Sequence, residues 1–270
     1  LIPCPRISVD NTQVIVGAEG FTGVANRGET GSFGFHEGVN VGGPFPFLPV
    51  LDLSMQFGVM GTQSTNSGAS FTPYARDQLF TTLGIFHRVD WGFQGGVVVD
   101  YMHDEWYYNL DIYQVRGELS WVNPNGHEVG AWFTTADNLQ ITQSQIVVDN
   151  RVVDFEQRWE VTDVYAFFYR RRFCETNATA RIYGGFTENG DGIVGADAMA
   201  PLSDAFALSG AFTYLIPNSD DSNQIPSYQR ESWNVQFSLV WFPGAGARKW
   251  TYHRPLMNVA NNGTFFLQNP

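Results

Sequence analysis

Polar and charged residues recur at every second position in one stretch of the sequence, and their types are those that line aqueous spaces. Gln114, Arg116 and Glu118 alternate with mostly apolar residues between Tyr113 and Trp121. Successive side chains of a β-strand point to opposite faces, so these three polar residues share one face. Both signs of charge on one face indicate a water-filled lumen or a network of Arg–carboxylate pairs.

The same alternation in other stretches extends this set. We expect the following residues to line a pore: Asp52, Gln56, Arg88, Asp100, Gln114, Arg116, Glu118, Arg181, Asn234 and Gln236. A twelve-stranded barrel has a backbone radius of about 12 Å, which leaves a narrow passage once side chains project inward. The alternative is a lumen plugged by ion-pair networks or by a folded loop, for which 137–157 is the longest candidate.

Patterns for catalysis and metal binding are weak. None of the histidines, at positions 36, 87, 103, 127 and 253, accompanies a Gly-x-Ser-x-Gly motif, and the sequence alone pairs none of them with a serine. His103, Asp104 and Glu105 are metal-ligand types, but neighbouring strand residues point to opposite faces. We therefore expect no enzyme, no metal site and no cofactor.

The elements that position these residues are strands with one lipid-compatible face. The clearest is 231–242, whose apolar face consists of Trp233, Val235, Phe237, Leu239 and Trp241, opposite Asn234, Gln236 and Ser238. At about 3.3 Å per residue the two Trp lie roughly 26 Å apart. Transmembrane β-strands need an apolar band of that height with aromatic girdles. We expect this face and Trp121 to contact lipid.

Strand patterns repeat along the chain and predict a closed antiparallel transmembrane β-barrel of about twelve strands. The runs lie near 13–23, 32–42, 51–61, 79–89, 93–103, 109–121, 127–136, 158–170, 177–187, 192–200, 204–215 and 231–242. Long links, at 62–78, 137–157 and 216–230, follow odd-numbered strands, whereas links after even-numbered strands are short. Bacterial outer-membrane barrels separate periplasmic turns from extracellular loops in this way, which places both termini in the periplasm.

Composition agrees with a lipid-facing wall and excludes other classes. Charged residues make up 16% of the chain, against about 25% in soluble domains. The net charge of -12 argues against nucleic-acid binding, which depends on basic surfaces. No run of 18 apolar residues is present, so the sequence predicts no transmembrane helix.

The two cysteines, Cys4 and Cys174, allow one disulfide. Strand parity places Cys174, after the eighth predicted strand, at the rim that holds the N-terminus. The chain opens without a basic signal-peptide region, which suggests a processed or partial chain. We expect a disulfide to be permitted, because periplasmic and surface compartments are oxidising.

The sequence after Pro243 departs from the strand pattern. We therefore predict three parts: a periplasmic segment at 1–12, the barrel at 13–243 and a periplasmic tail at 244–270. Residues 238–244 (SLVWFPG) and 252–265 (YHRPLMNVANNGTF) resemble uncharacterised outer-membrane barrel proteins of planctomycete-type bacteria. That resemblance implies an outer-membrane location and no known activity. The tail is too apolar for a disordered end. We expect it to stay at the periplasmic rim and to bury its aromatics under its own barrel or on a neighbouring copy. The second arrangement would give a homo-oligomer or a larger envelope assembly.

Three functions remain open at this point. The first is a porin-like passive channel for small solutes or ions, which we favour. The second is a structural or interaction protein with a plugged barrel, and the third is a soluble all-β surface module. A need for detergent separates the third from the others, and conductance in planar bilayers separates the first from the second.

Overall fold

Alternating apolar and polar side chains organise most of the chain into strands. The computed structural model describes residues 9–23, 31–47, 52–68, 74–148, 151–218 and 231–268. After a short 3-10 turn (Val9–Asn11), the strands are β1 (Thr12–Thr22), β2 (Ser32–Pro44), β3 (Ser54–Ser64), β4 (Arg76–His87), β5 (Gly92–Glu105), β6 (Asn109–Val122), β7 (His127–Thr135), β8 (Leu139–Val148), β9 (Arg151–Val161), β10 (Val164–Phe173), β11 (Ala178–Thr187), β12 (Gly192–Pro201), β13 (Phe206–Ile216), β14 (Ser232–Trp241) and β15 (Leu267–Gln268). Within this described part, no helix is long and apolar enough to cross a membrane.

Twelve of these strands form one closed antiparallel barrel, which confirms the predicted fold class. The order around the barrel is β1-β14-β13-β12-β11-β10-β7-β6-β5-β4-β3-β2. Closure is made by β1 and β14, whose register runs from Val14 opposite Trp241 to Thr22 opposite Trp233. Closure leaves no unpaired sheet edge, a condition that hydrocarbon imposes on a spanning sheet.

The stretch between β7 and β10 corrects one sequence expectation. The predicted eighth strand, 158–170, is in fact the end of β9 and the start of β10, separated by Thr162 and Asp163. The loop expected over 137–157 contains the β8–β9 hairpin, which joins β15 in a separate three-stranded sheet. The sequence offers a signal for this hairpin, because β-branched residues lie on both sides of Asp149–Asn150, a pair of residue types common in turns.

The barrel has two different rims. The short-turn rim holds the start of β1, the end of β14 and the links 45–53, 88–91, 123–126, 174–177 and 202–205. The long-loop rim holds the links 23–31, 65–75, 106–108, 136–163, 188–191 and 217–231. The longest links therefore lie on one rim, as strand parity predicts.

The outer wall is apolar on every side. Each barrel strand exposes at least one large apolar side chain, in order around the chain Val16, Phe35, Phe57, Leu83, Val99, Leu119, Val129, Phe167, Ile182, Val194, Leu208 and Phe237. Phe237 is 70% exposed, whereas its neighbour Gln236 is 9% exposed and points inward. The polar faces thus enclose the lumen, and the apolar faces form a continuous belt.

Candidate functional site

The C-terminal segment enters the lumen at the short-turn rim. The chain passes close to Asp10 because residues 244 and 246 are glycines. A Cβ at either position would lie within 2.5 Å of an Asp10 atom. Thr251 Oγ1 then bonds Asn11 Oδ1 at 2.5 Å. From here residues 250–266, which we name the lumen segment, run inside the barrel.

The middle of the lumen segment is held by side chains of the barrel wall. Gln56 accepts bonds from the backbone N–H groups of Leu256 and Met257, both at 3.1 Å, and its Nε2 donates to the Met257 carbonyl at 3.0 Å. Arg116 Nη2 donates to the Asn258 carbonyl at 2.8 Å. Thr82 Oγ1 accepts from the Ala260 N–H at 2.9 Å. Wall side chains thus satisfy backbone groups that have no strand partner.

The far part of the lumen segment reaches the long-loop rim. Asn262 Nδ2 lies 3.1 Å from Glu19 Oε1 and 2.9 Å from Gln78 Oε1, so one amide bridges two strands. The Phe266 carbonyl accepts a bond from the Thr162 N–H at 2.8 Å. Residues 267–268 then pair with β9 as β15. The segment therefore spans the lumen from one rim to the other.

This path corrects two expectations. The described part of the tail does not stay outside the barrel, and Val9 and Gln268 lie at opposite rims rather than on one side. The physical reason is that the tail alternates apolar residues with amides. Leu256, Met257 and Phe265 become buried against apolar wall residues, while the amides meet the polar wall. That mixed pattern in 256–265 was the signal that the sequence analysis read as a partner surface.

Apolar contacts close the long-loop half of the lumen. One cluster joins Val259, Ala260 and Phe265 of the lumen segment to inward residues of β3–β6 and to Trp159 of β9, which is fully buried. A second cluster joins Phe266 to Trp132, Val164, Ala166, Phe168, Ile193 and Leu215. The β8–β9 hairpin thus helps to close the lumen through Trp159 and Val161 at the end of β9. The rest of this link, which was expected to fold inward, forms the separate sheet.

Ion pairs occupy the short-turn half. Glu118 lies 2.8 Å from Arg170 and 3.0 Å from Arg181. Arg170 also pairs with Glu128 at 2.7 Å, and Arg181 with Asp197 at 2.6 Å. A carboxylate held between two guanidinium groups satisfies most of its acceptor sites, as a buried charge requires.

Arg116 pairs with Asp100 on the adjacent strand at 2.9 Å. The expectation of pairing with neighbouring strands therefore holds for Arg116, whereas Glu118 pairs with Arg170 and Arg181 on β10 and β11, which are not adjacent to β6.

Most of the residues expected to line a pore do point into the lumen, but many of them contact the lumen segment. Gln56, Asp100, Gln114, Arg116, Glu118, Asn234 and Gln236 are buried there, and Arg181 is half-buried. Arg88 lies just beyond β4 and reaches the lumen mouth, where it donates to the carbonyls of Arg254 and Pro255 at 2.9 and 2.8 Å. Asp52 is a correction: it lies exposed in the β2–β3 link with a positive φ of 47°, because β3 begins only at Ser54.

The residues expected to contact lipid all lie on the outer wall. Trp121, Phe237, Leu239 and Trp241 are exposed, and Trp233 and Val235 are half-exposed on the same face. Contact with lipid itself stays a prediction.

Cys174 is exposed in the β10–β11 turn at the short-turn rim. Cys4 lies outside the described residues, so their pairing also stays a prediction.

The structure brings one serine and one histidine together, which the sequence did not reveal. His36 Nε2 lies 2.7 Å from Ser238 Oγ, across the β2–β1–β14 wall inside the lumen. Among the described residues, His36 Nδ1 has no hydrogen-bond partner, so none of their carboxylates orients the ring. Neither His36 nor Ser238 lines the lumen cavity. A hydrolytic triad needs that orienting bond and space for substrate.

The three residues of the possible metal site point apart. His103 bonds Asp111 at 2.9 Å on the outer wall, whereas Asp104 is fully buried against Arg76 in the lumen. Within the described residues, no group of three or more His, Cys, Asp or Glu side chains is placed to hold a metal ion.

An eccentric cavity of about 150 Å³ remains between the lumen segment and the wall formed by β6, β7 and β10–β14. Its lining reaches the short-turn rim at Gly126 and Asn177 and extends inward to Trp132, Tyr183 and Thr213. The second apolar cluster lies beyond that end. The cavity is therefore a pocket that opens toward the short-turn rim.

Comparisons with known proteins identify a family for this chain. A model of a family of unknown function (DUF6666) matches residues 11–267. The match extends well beyond the last strand and tail on which the sequence resemblance rested. No curated protein matches the chain.

Several solved barrels are similar in fold. A TodX monoaromatic hydrocarbon channel mutant is 10% identical, with 86% of this chain and 89% of that chain covered and a TM-score of 0.43. Outer membrane phospholipase A from Escherichia coli is 10% identical, with 85% and 92% covered and a TM-score of 0.44. The translocator domain of autotransporter NalP from Neisseria meningitidis is 10% identical, with 85% and 87% covered and a TM-score of 0.42. Likenesses at these scores carry no inference about shared function.

Proposed function

We propose that this chain, which belongs to the DUF6666 family, is an outer-membrane β-barrel that its own lumen segment holds closed. Small solutes or ions pass only when that segment is displaced. The observation that carries the proposal is the path of residues 250–266 through the whole lumen, with wall side chains bonded to their backbone. The apolar belt around all twelve strands supports a place in a bilayer.

The contacts of the lumen segment suit a removable closure. Within the described residues, the lumen segment itself pairs with no strand, and most of its hydrogen bonds to the wall involve side chains, of which Gln56 makes three. Each such bond contributes only about 0.5–1.5 kcal/mol net, because water replaces it when it breaks. By strand parity, we further propose that the short-turn rim faces the periplasm.

A permanently closed barrel with a structural role is the second candidate. Its support is the apolar cluster that joins Val259, Ala260 and Phe265 to Trp159 of the outer hairpin. Exposing such side chains to water costs about 1.5–3 kcal/mol each. The two candidates differ in whether the segment ever leaves the lumen.

Conductance of single channels in planar bilayers tests closure. The full chain should show little or no ion current, and a chain ending at residue 247 should show steady openings. Far-UV circular dichroism and heat-modifiable gel mobility must show that the truncated barrel is folded. Large steady openings by the full chain would contradict closure.

A reversible lock separates the two candidates. Thr82 and Ala260 are joined by a 2.9 Å hydrogen bond, which places their α-carbons within reach of a disulfide. The variant is Thr82→Cys with Ala260→Cys, in a background of Cys4→Ser and Cys174→Ser. If the segment moves, solute uptake into proteoliposomes should fall on oxidation and return on reduction. Uptake that is absent in both redox states would favour the structural role.

A further inference from the structure

We infer that the lumen cavity is a binding site for a small oxyanion, a carboxylate or a phosphate, that enters from the short-turn rim. This inference concerns the closed state and does not depend on movement of the lumen segment. Its basis is the sign of the charge around the cavity in a chain whose net charge is -12.

The cavity lining carries more cations than anions. The arginines are Arg88, Arg116, Arg170, Arg172, Arg181 and Arg254, and the carboxylates are Glu118, Glu128 and Asp197. Arg170 and Arg181 pair with those three carboxylates, which exceed them by one negative charge, and Arg116 is matched by Asp100 on the adjacent strand. The remaining positive charge belongs to Arg88, Arg172 and Arg254.

These three arginines lie together at the open end of the cavity. Among described residues, Arg88 and Arg254 bond only to backbone carbonyls, and Arg172 has a single distant carboxylate, Asp90, at 3.8 Å. Arg172 and Arg88 flank the Trp250 ring, 4.0 and 5.0 Å from its centroid. Burial, and after it the nearby Arg170, lowers the pKa of Arg88.

Two indole groups that line the cavity have donors without acceptors among the described residues. Trp132, on β7, is 6% exposed, and its Nε1–H has no hydrogen-bond partner there. The same holds for Nε1 of Trp250, which belongs to the lumen segment. A buried donor left unpaired costs about 1–3 kcal/mol, so an acceptor bound in the cavity would relieve that cost. Carboxylate and phosphate oxygens are acceptors that guanidinium groups bind in paired geometry.

The dimensions limit the ligand. A cavity of about 150 Å³ resembles in size an engineered cavity that holds benzene. The aromatic side chains of Trp132 and Tyr183 line the inner end, and the arginines lie at the mouth. The site therefore suits inorganic phosphate or a small carboxylate with an apolar body, such as benzoate.

The test is isothermal titration of the full-length protein in a nonionic detergent at fixed ionic strength, with inorganic phosphate in one arm and benzoate in the other. Saturable binding in either arm is expected, and the stronger arm identifies the preferred class. Arg172→Gln should raise the Kd by about tenfold or more, because a charge-assisted bond is lost. Trp132→Phe, which removes the indole N–H together with the five-membered part of the ring system, should raise it several-fold.

Arg171→Gln is the matched control. Arg171 is the neighbour of Arg172 on the outer face of the same strand, where it bonds the Asn125 carbonyl at 2.8 Å. Its substitution should leave the Kd within about twofold, because it removes the same charge outside the cavity. No saturable binding to the wild-type protein in either arm would overturn the inference. An equal rise in the Kd for Arg171→Gln and Arg172→Gln would also overturn the inference, because the loss of affinity would then not depend on the cavity.

Discussion

Glu118 shows how single residues hold this barrel together. Its carboxylate lies between Arg170 and Arg181, and its position on β6 joins that strand to β10 and β11 across the lumen. Neither strand is adjacent to β6 in the sheet, so this contact is a cross-link through the interior. Arginine, with its planar array of donors, suits such a shared carboxylate better than lysine does.

Glu118→Gln should lower the free energy of unfolding by about 3–5 kcal/mol, because it leaves two buried guanidinium groups without their shared counter-charge. Urea unfolding in lipid vesicles, followed by Trp fluorescence, measures the change. Glu37→Gln is the control, since Glu37 is exposed on the outer wall and forms no ion pair with a described residue. A loss no larger than that of the control would show that Glu118 is not needed to balance Arg170 and Arg181.

The outer wall makes a second prediction at this scale. Phe237 is exposed on β14, opposite Ala18 of β1 and Gly210 of β13. Phe237→Arg should cost about 2–4 kcal/mol of unfolding free energy in vesicles if this position is near the bilayer midplane. Phe237→Leu is the apolar control. Equal stability of the two variants, or a folded monomer without detergent, would contradict a lipid-facing wall.

At the scale of elements, glycines in the wall make room for the lumen segment. A Cβ at Gly42 would lie 2.0 Å from the His253 carbonyl oxygen and 2.9 Å from Pro255 Cδ. The segment and β2 approach this closely only because Gly42 has no side chain.

Gly42→Ala should therefore displace the lumen segment and raise bilayer conductance above that of the full wild-type chain. Gly61→Ala is the matched control on the next strand, where the nearest atom to a new Cβ is 3.9 Å away. The control should keep the wild-type current. A silent, folded Gly42→Ala variant would show that the segment adapts without leaving the lumen.

The sequence predicted the barrel strands well because each one carries a period-2 signal over nine or more residues. In β10, the burial of Val164, Ala166 and Phe168 shows that Tyr165 and Phe167 face outward. The alternation alone left this ambiguous, because it places the charged residues Asp163 and Arg171 on the same face as the aromatic residues. Asp52 was wrongly placed in a strand, because the alternation of polar and apolar residues begins before Ser54, the first residue of β3. The β8–β9 hairpin was missed because the sequence analysis assigned 137–157 to a loop and read 158–170 as one strand.

The lumen segment was beyond sequence reasoning for a different reason. Its contacts, such as Asn262 with Glu19 and Gln78, join positions far apart in the chain, and no local period encodes them. Apolar residues and amides in 256–265 show that the tail is ordered, but they do not say which surface orders it. The cavity arginines were also found only in part, since Arg170 and Arg172 lie in a strand whose register was ambiguous.

At the scale of the whole molecule, the lumen segment changes the expectation for assembly. Leu256, Met257 and Phe265 belong to the tail that the sequence analysis expected to bury its aromatics under its own barrel or on a neighbouring copy, and they are buried inside their own barrel. Association of copies through this segment stays a proposal, and it would require the segment to leave the lumen.

Deletion of residues 248–270 should leave the number of copies per particle unchanged. Light scattering corrected for bound detergent measures it, with circular dichroism to show that the barrel remains. The physical reason is that the deleted apolar side chains face the lumen and not a neighbour. Loss of a higher-order particle on deletion, with the barrel intact, would favour docking through the tail.

The position of the lumen segment after β14 in the chain has a consequence for biogenesis. Ring closure joins β1 to β14, yet the residues that follow β14 end at the opposite rim. Residues 250–268 must either lie within the ring before β1 and β14 pair, or be threaded through it afterwards. In both cases residues 267–268 have to reach the rim opposite the one at which β14 ends. The ring must therefore, at one moment of its assembly, admit an extended polypeptide.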